Sequence, residues 1–477
     1  MRFKNPERNL REIGQELNVA TILEGSIQKE GGRVRITTQL INVADDAHLW
    51  SQTFDKDLES IFAIQDEISR EIMEAMKITL LSNDQTSFAK HYTENLEAYD
   101  YYLRGRFFWN RRTEESLLKA IDYFERAIDL DSNFALAYSG LADAYNVLPG
   151  YSSYPAKEAM PIAKEAAKKA LALDDNLAEA HASLGQAYSD EEDYKNAEKE
   201  FLRAIGLNPG YATAHQWYAL TLDYMDRPDD ALKEIEIAYE LDPLSIVIHI
   251  NLASKKAEHW DWSGAEKIYK RALEIDPERA NTYTWYGFLL LRQGRFDEAS
   301  QMVERAIELS PNNSFIIRSY GMNYYYQRQY DKAIEQLQKV MEIDSTDFIA
   351  RIHLGLSYLS EEMYSKAMDE FESDLVLASP DGEFWIYFGY AEMEQKDKAL
   401  EYLDKIEKNP DDYSMSPYGK ALLYAQLGES EKTFEWLEKA YEKHDFYLTM
   451  IKIDKSFDKY KTDPRYVALL EKMGLPL

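Results

Sequence analysis

Between Ala178 and Phe371 the apolar residues fall into paired runs at helical spacing, and the pair returns every 34 residues. In the unit Ala178–Tyr211, Ala182, Leu184, Gly185 and Tyr188 mark one helix, and Ala197, Phe201 and Ala204 mark a second. Gly185, Ala219, Ala253, Gly287, Gly321 and Gly355 keep the 34-residue step, as do Ala197, Ala231, Ala265, Ala299, Ala333 and Ala367. Small residues at these places let two antiparallel helices cross at close range, and Phe201 fills the space they leave. Tyr194, Trp262, Phe296, Tyr330 and Tyr364 recur at the turn between the helices. Pro209, Pro243, Pro277 and Pro311 come just past the second helix, where a fixed φ ends it. Self-similarity at this period predicts stacked helix pairs, each burying its face on its neighbours.

The positions Gly185, Tyr188, Ala197, Phe201, Ala204 and Pro209 resemble the signature of the tetratricopeptide repeat (TPR), a helix–turn–helix unit. Degenerate units surround the regular ones. Gly105 pairs with Ala120, Phe124 and Ala127, Leu141, Ala142 and Tyr145 pair with Ala163, Ala167 and Ala170, and Gly389–Ala399 and Ala421–Thr433–Ala440 close the series. The resemblance implies a mostly α fold, a right-handed TPR α-solenoid of about ten repeats over residues 95–443. Residues 444–477 are expected to be a C-terminal capping segment.

The first 80 residues carry a different pattern. Leu10, Ile13 and Leu17 lie on one helical face, and Thr21–Gln28, Arg33–Val43 and His48–Phe54 alternate as three strands. Ile61, Ile64, Ile68, Ile72 and Met76 predict a second helix from Leu58 to about Leu80. This α-β-β-β-α order resembles the α/β domain, similar to the amino-terminal domain of TolB, that precedes TPRs in many bacterial signalling proteins. The resemblance implies an incomplete domain over residues 1–80, because such proteins place further strands before it. A polar linker follows over residues 81–94. An unpaired sheet edge beside Ile22, Ile27, Val34 and Ile36 predicts self-association through the N-terminal domain.

Charge narrows the partners. The chain carries a net charge of −30, a field that disfavours nucleic acid and anionic membrane and favours a basic partner surface. The chain has no cysteine, so disulfides and thiolate metal sites are excluded. No run approaches the ~20 apolar residues of a membrane span, and no signal peptide is predicted after Met1. A cytoplasmic location is expected, with the periplasm suited equally by the lack of cysteine.

Catalytic signatures are missing: no phosphate-binding loop, paired-glycine dinucleotide turn or HExxH is found. No enzyme activity and no cofactor are predicted. His181, His215 and His249 recur at one register position, but rungs ~8–10 Å apart stand too far from one another for a shared ion, so no metal site is predicted there. The aromatic run Tyr99, Tyr101, Tyr102, Phe107, Phe108 and Trp109 reads as a seam cover, and the Pro149–Pro155 stretch as an inserted loop.

Function is therefore expected on the concave groove. In TPR proteins the first helix of each pair lines it, and by register the resemblance implies Gln216, Leu220, Tyr224, Thr284, Phe288, Arg292, Arg318, Met322, Tyr325 and Tyr326 as the partner surface. This mixed aromatic and polar set suits a peptide or extended protein segment. Asn251 alone matches the carboxylate clamp of chaperone-binding TPRs. The expected function is a non-enzymatic protein–protein interaction scaffold. The alternative is the regulatory half of a signalling protein whose cyclase, kinase or transcription-regulator domain lies outside these residues.

Overall fold

The computed structural model describes residues 10–16, 19–57, 61–75, 93–152, 154–379, 382–408 and 415–475. It divides into two compact units, residues 1–209 and 210–477.

In the first unit, helix α1 (Leu10–Glu16) precedes strands β1 (Thr21–Glu30), β2 (Arg33–Asn42) and β3 (His48–Asp57), and helix α2 (Ile61–Ala75) follows. The α-β-β-β-α order is the expected one. The strands pair antiparallel in the order β1-β2-β3. Gly31 takes the left-handed backbone (φ +59°) at the tight β1–β2 turn. Alternation sends Val34, Ile36 and Phe54 to one face, where they pack with Ile64 of α2. Glu71 of α2 accepts from Trp50 Nε1 at 3.2 Å, which ties helix to sheet. The expected continuation through Met76 to Leu80, and most of the linker, lie outside the described residues.

Leu23 and Ile27 of β1 oppose Leu40 and Ile36 and so share their face. Yet they are 51% and 72% exposed.

Three helix pairs follow in this unit: Leu96–Trp109 with Glu114–Leu130, Ala135–Val147 with Ala156–Leu173, and Ala178–Asp190 with Tyr194–Leu207. Gly105 and Gly140 both press on the Phe124 ring, and a Cβ added at either would stand 2.5 Å from it. Gly185 meets Phe201 in the same way, at 3.0 Å. The aromatic run of the first pair is held within that pair and its neighbour: Tyr102 lies against Phe124 and Phe134, and Phe108 stacks on Tyr123. Leu148–Gly150 forms a 3-10 turn inside the inserted loop, and Ser153 is outside the described residues.

Among the described residues the second unit holds seven further pairs, from Ala212–Tyr224 with Pro228–Leu241 to Pro417–Leu427 with Ser430–Glu442. The periodic alanines are the closest-packed positions: Ala231, Ala265, Ala299, Ala333 and Ala367 are fully buried, as are Ala238, Ala272 and Ala306. Gly321 sits on Leu337 and Gly355 on Phe371, so the partner of each small residue is the one 16 positions on. The regular step breaks after Tyr364. The helix Tyr364–Phe371 stops early, and a short helix, Asp374–Leu377, stands before the next pair.

A second periodic feature is a left-handed residue in the turn between paired helices. Glu192, Asp226, Trp260, Gly294, Arg328 and Glu362 keep the 34-residue step and all have positive φ, between 56° and 77°. The turn backbone requires this conformation, and glycine supplies it only at Gly294 and, later, Gly428.

After Glu442 the chain leaves the repeat pattern. It forms 3-10 turns over Phe446–Met450 and Lys455–Tyr460, then the helix Pro464–Lys472. This segment lies against the C-terminal ends of successive first helices of the second unit. His444 Nδ1 donates to the Glu258 carbonyl at 3.0 Å, and Lys452 Nζ to the Gln293 carbonyl at 3.0 Å. Arg328 pairs with Asp458 at 3.3 Å, Lys455 with Glu392 at 3.2 Å, and Trp262 Nε1 donates to the Met473 carbonyl at 2.6 Å.

Candidate functional site

The ten groove residues expected from the register all lie on first helices of the second unit: Gln216, Leu220 and Tyr224 on Ala212–Tyr224, Thr284, Phe288 and Arg292 on Ala280–Arg292, and the rest on Ser314–Tyr326. The structure gives them three different surroundings. Tyr224 is 70% exposed, and Leu220, Phe288 and Met322 keep part of their surface open. Gln216 and Thr284 are buried, with the Thr284 hydroxyl donating to the Ala280 carbonyl at 3.2 Å. Arg318 is drawn into an ion pair with Asp347, at 2.6 Å.

Arg292, Tyr325 and Tyr326 meet the C-terminal segment. The Arg292 guanidinium lies 4.4 Å from the centre of the Phe446 ring, a cation–π contact, and its side chain is buried. Burial lowers its pKa, while Tyr269 and Glu258 oppose that. Asp454 is half-buried, interacts electrostatically with Tyr325 and Tyr326, and accepts from the Tyr418 hydroxyl at 3.1 Å. Burial raises the Asp454 carboxyl, against hydrogen bonds from Ser456 and Tyr418 that favour its charged form. Part of the first-helix surface is thus covered by the chain itself. Sequence reasoning missed this cover, since His444, Phe446 and Asp454 stand outside the repeat.

The recurrent histidines each have a partner close at hand. His181 Nδ1 lies 2.6 Å from Glu200 Oε2, and His215 Nδ1 2.6 Å from Glu234 Oε2, each linking the two helices of its own pair. Arg351 occupies the same register position and pairs with Glu370 at 2.7 Å. His249 Nδ1 instead donates to the Ser245 carbonyl at 2.8 Å, with its ring edge-on to Tyr239. At His181, His215 and Arg351 the register position therefore joins the two helices of a pair, whereas His249 bonds within its own helix. Among the described residues no helix is long and apolar enough to cross a membrane.

Comparisons with known proteins bear on the repeats. Two family models described as tetratricopeptide repeat match, one at residues 178–211 and one at residues 278–346. A protein of Rhizobium meliloti (strain 1021) named putative adenylate cyclase 3 is 30% identical over 169 residues, which are 34% of this chain and 29% of that protein. The chain thus spans under a third of that relative's length. Among solved structures, yeast Tom70 is similar over 64% of this chain and 66% of its own, at 20% identity and a TM-score of 0.44. A thermophilic TPR protein of Thermus thermophilus is similar over 41% of this chain and 99% of its own, at 20% identity and a TM-score of 0.35. With the small-residue crossings and the buried alanines, the helix pairs at residues 178–211 and 278–346, where the family models match, are tetratricopeptide repeats.

Proposed function

We propose that this chain is a non-enzymatic interaction scaffold that takes a protein or peptide segment along the first helices of its repeats. The observation that carries the reading is the open apolar surface on those helices, with Tyr224 70% exposed and Leu220, Phe288 and Met322 partly so. Aromatic and aliphatic anchors set among polar groups suit an extended segment that fills alternate pockets. The net charge of −30 favours a basic segment. Partner binding at Arg292, Tyr325 and Tyr326 would require the C-terminal segment to move, so the segment and a partner compete there.

A photo-cross-linking amino acid placed at Tyr224 or Phe288, and in control at the exposed Glu308 of a second helix, tests this. Cross-links to one protein from the first-helix positions, and none from Glu308, are expected. Equal capture from all three positions would contradict the groove reading.

The match to a protein named as a putative adenylate cyclase favours a second reading, the regulatory part of a signalling system. Genomic sequence around the coding region separates the two. A cyclase or kinase domain in frame, or in the adjoining gene, supports the regulatory reading.

A further inference from the structure

Three side chains distant in sequence meet where the helix Ile246–Glu258 ends. Asp229 stands at the start of the helix Pro228–Leu241, His259 closes Ile246–Glu258, and His444 lies in the turn after Ser430–Glu442. One ligand atom from each lies within 4.8 Å of the other two.

Both imidazoles are fixed through Nδ1. His259 Nδ1 is 2.9 Å from the Lys255 carbonyl, and His444 Nδ1 is 3.0 Å from the Glu258 carbonyl. A carbonyl oxygen only accepts, so both Nδ1 atoms carry a proton, and in the neutral imidazole the Nε2 atom is the one that presents a lone pair. His259 Nε2 is buried and has no hydrogen-bond partner. Its nearest charged neighbour is Asp229 Oδ1 at 3.4 Å, itself an acceptor. The rings stack 4.4 Å apart, and Trp260 stacks in turn on His444 and on Tyr441. The result is a packed seam in which two imidazoles and a carboxylate each bring one ligand atom within 4.8 Å of the others.

Acceptors gathered in this way are satisfied by a cation at their centre. Nitrogen ligands favour transition metals over magnesium or calcium. Three protein ligands with a water in the fourth place make an ordinary zinc coordination set. The exposed Asp229 carboxylate leaves room for that water. A backbone carbonyl receiving the other ring N–H is the support that orients a metal-bound histidine and sets its tautomer. We propose that Asp229, His259 and His444 form a site for a divalent transition metal, zinc by its ligand set, and that the ion fastens the C-terminal segment to the repeat beneath it. This differs from the histidine ladder, where His181 and His215 face carboxylates of their own helix pairs.

Metal-stripped full-length protein, titrated with Zn²⁺ by calorimetry and with Co²⁺ by visible absorption, tests the site. A single equivalent should bind, with ligand-field bands in the cobalt form. His444→Gln and Asp229→Asn should weaken binding by about 100-fold and 10-fold respectively, and His181→Gln should leave it unchanged. Asp229 is exposed, so its variant is read without disturbing the stacked rings; thermal melts of the metal-free variants check that the fold is kept. Zinc should also slow tryptic cleavage of the C-terminal segment in the parent protein, and in Asp229→Asn only at a zinc concentration about 10-fold higher. Equal affinity in the parent, His444→Gln and Asp229→Asn, or no binding in the parent, would overturn the proposal.

Discussion

Ala265 shows what the repeat demands of a single side chain. It is fully buried at the crossing of Ile246–Glu258 and Trp262–Ile275, and a charge there would have no partner. Ala265→Glu should lower stability by roughly 3–5 kcal/mol, whereas Glu192→Gln, exposed in a turn, should be near neutral. Similar melting temperatures for the two variants would contradict the register. Asp190 is a residue-scale case with a pH signature. Burial raises its carboxyl to about 6, against a hydrogen bond from Gln186 Nε2 at 2.7 Å and with help from Glu191. The folded state then binds the proton more tightly than the unfolded state, so stability is lost as pH rises from about 4 to about 6. Asp190→Asn should gain on the order of 2 kcal/mol at pH 7.5 and almost nothing at pH 4, measured by urea unfolding at the two values. Equal gains at both would show that the carboxyl is not perturbed.

At the scale of the element, the turn between paired helices sets a backbone rule that most repeats meet without glycine. Gly428 has φ +82° and open space around it. Gly428→Ala should therefore cost about 1 kcal/mol through backbone strain alone, read from thermal melts; no loss would mean that the turn relaxes. The strands carry the other element-scale prediction. β1 pairs with β2 alone among the described residues and shows Leu23 and Ile27 to solvent. Such an edge invites a second copy, and a lysine on it blocks pairing. The full chain should self-associate, and Ile27→Lys should be monomeric by light scattering. If parent and variant have the same mass, the edge does not mediate association.

Across the whole chain, legibility follows periodicity. The small residues at Gly185, Gly321 and Gly355 and the alanines from Ala197 to Ala367 locate the helix crossings, because close approach leaves no other choice of side chain. The strands are equally plain, since Val34, Ile36 and Phe54 alternate as a half-buried sheet must. The surroundings of the groove residues are not. Arg292 and Tyr326 look like open first-helix positions in the register, and their cover comes from Phe446 and Asp454, more than 120 residues away and outside any repeat. The meeting of His259 with His444 is hidden for the same reason: a contact across 185 positions leaves no local pattern. The central claim is that the open first-helix face binds a protein segment. Calorimetry with the partner named by cross-linking tests it most directly, comparing the parent chain with Tyr224→Ser and Glu308→Lys. Affinity at least about tenfold weaker is expected for Tyr224→Ser, with little change for Glu308→Lys. Unchanged affinity in Tyr224→Ser together with loss in Glu308→Lys would contradict it.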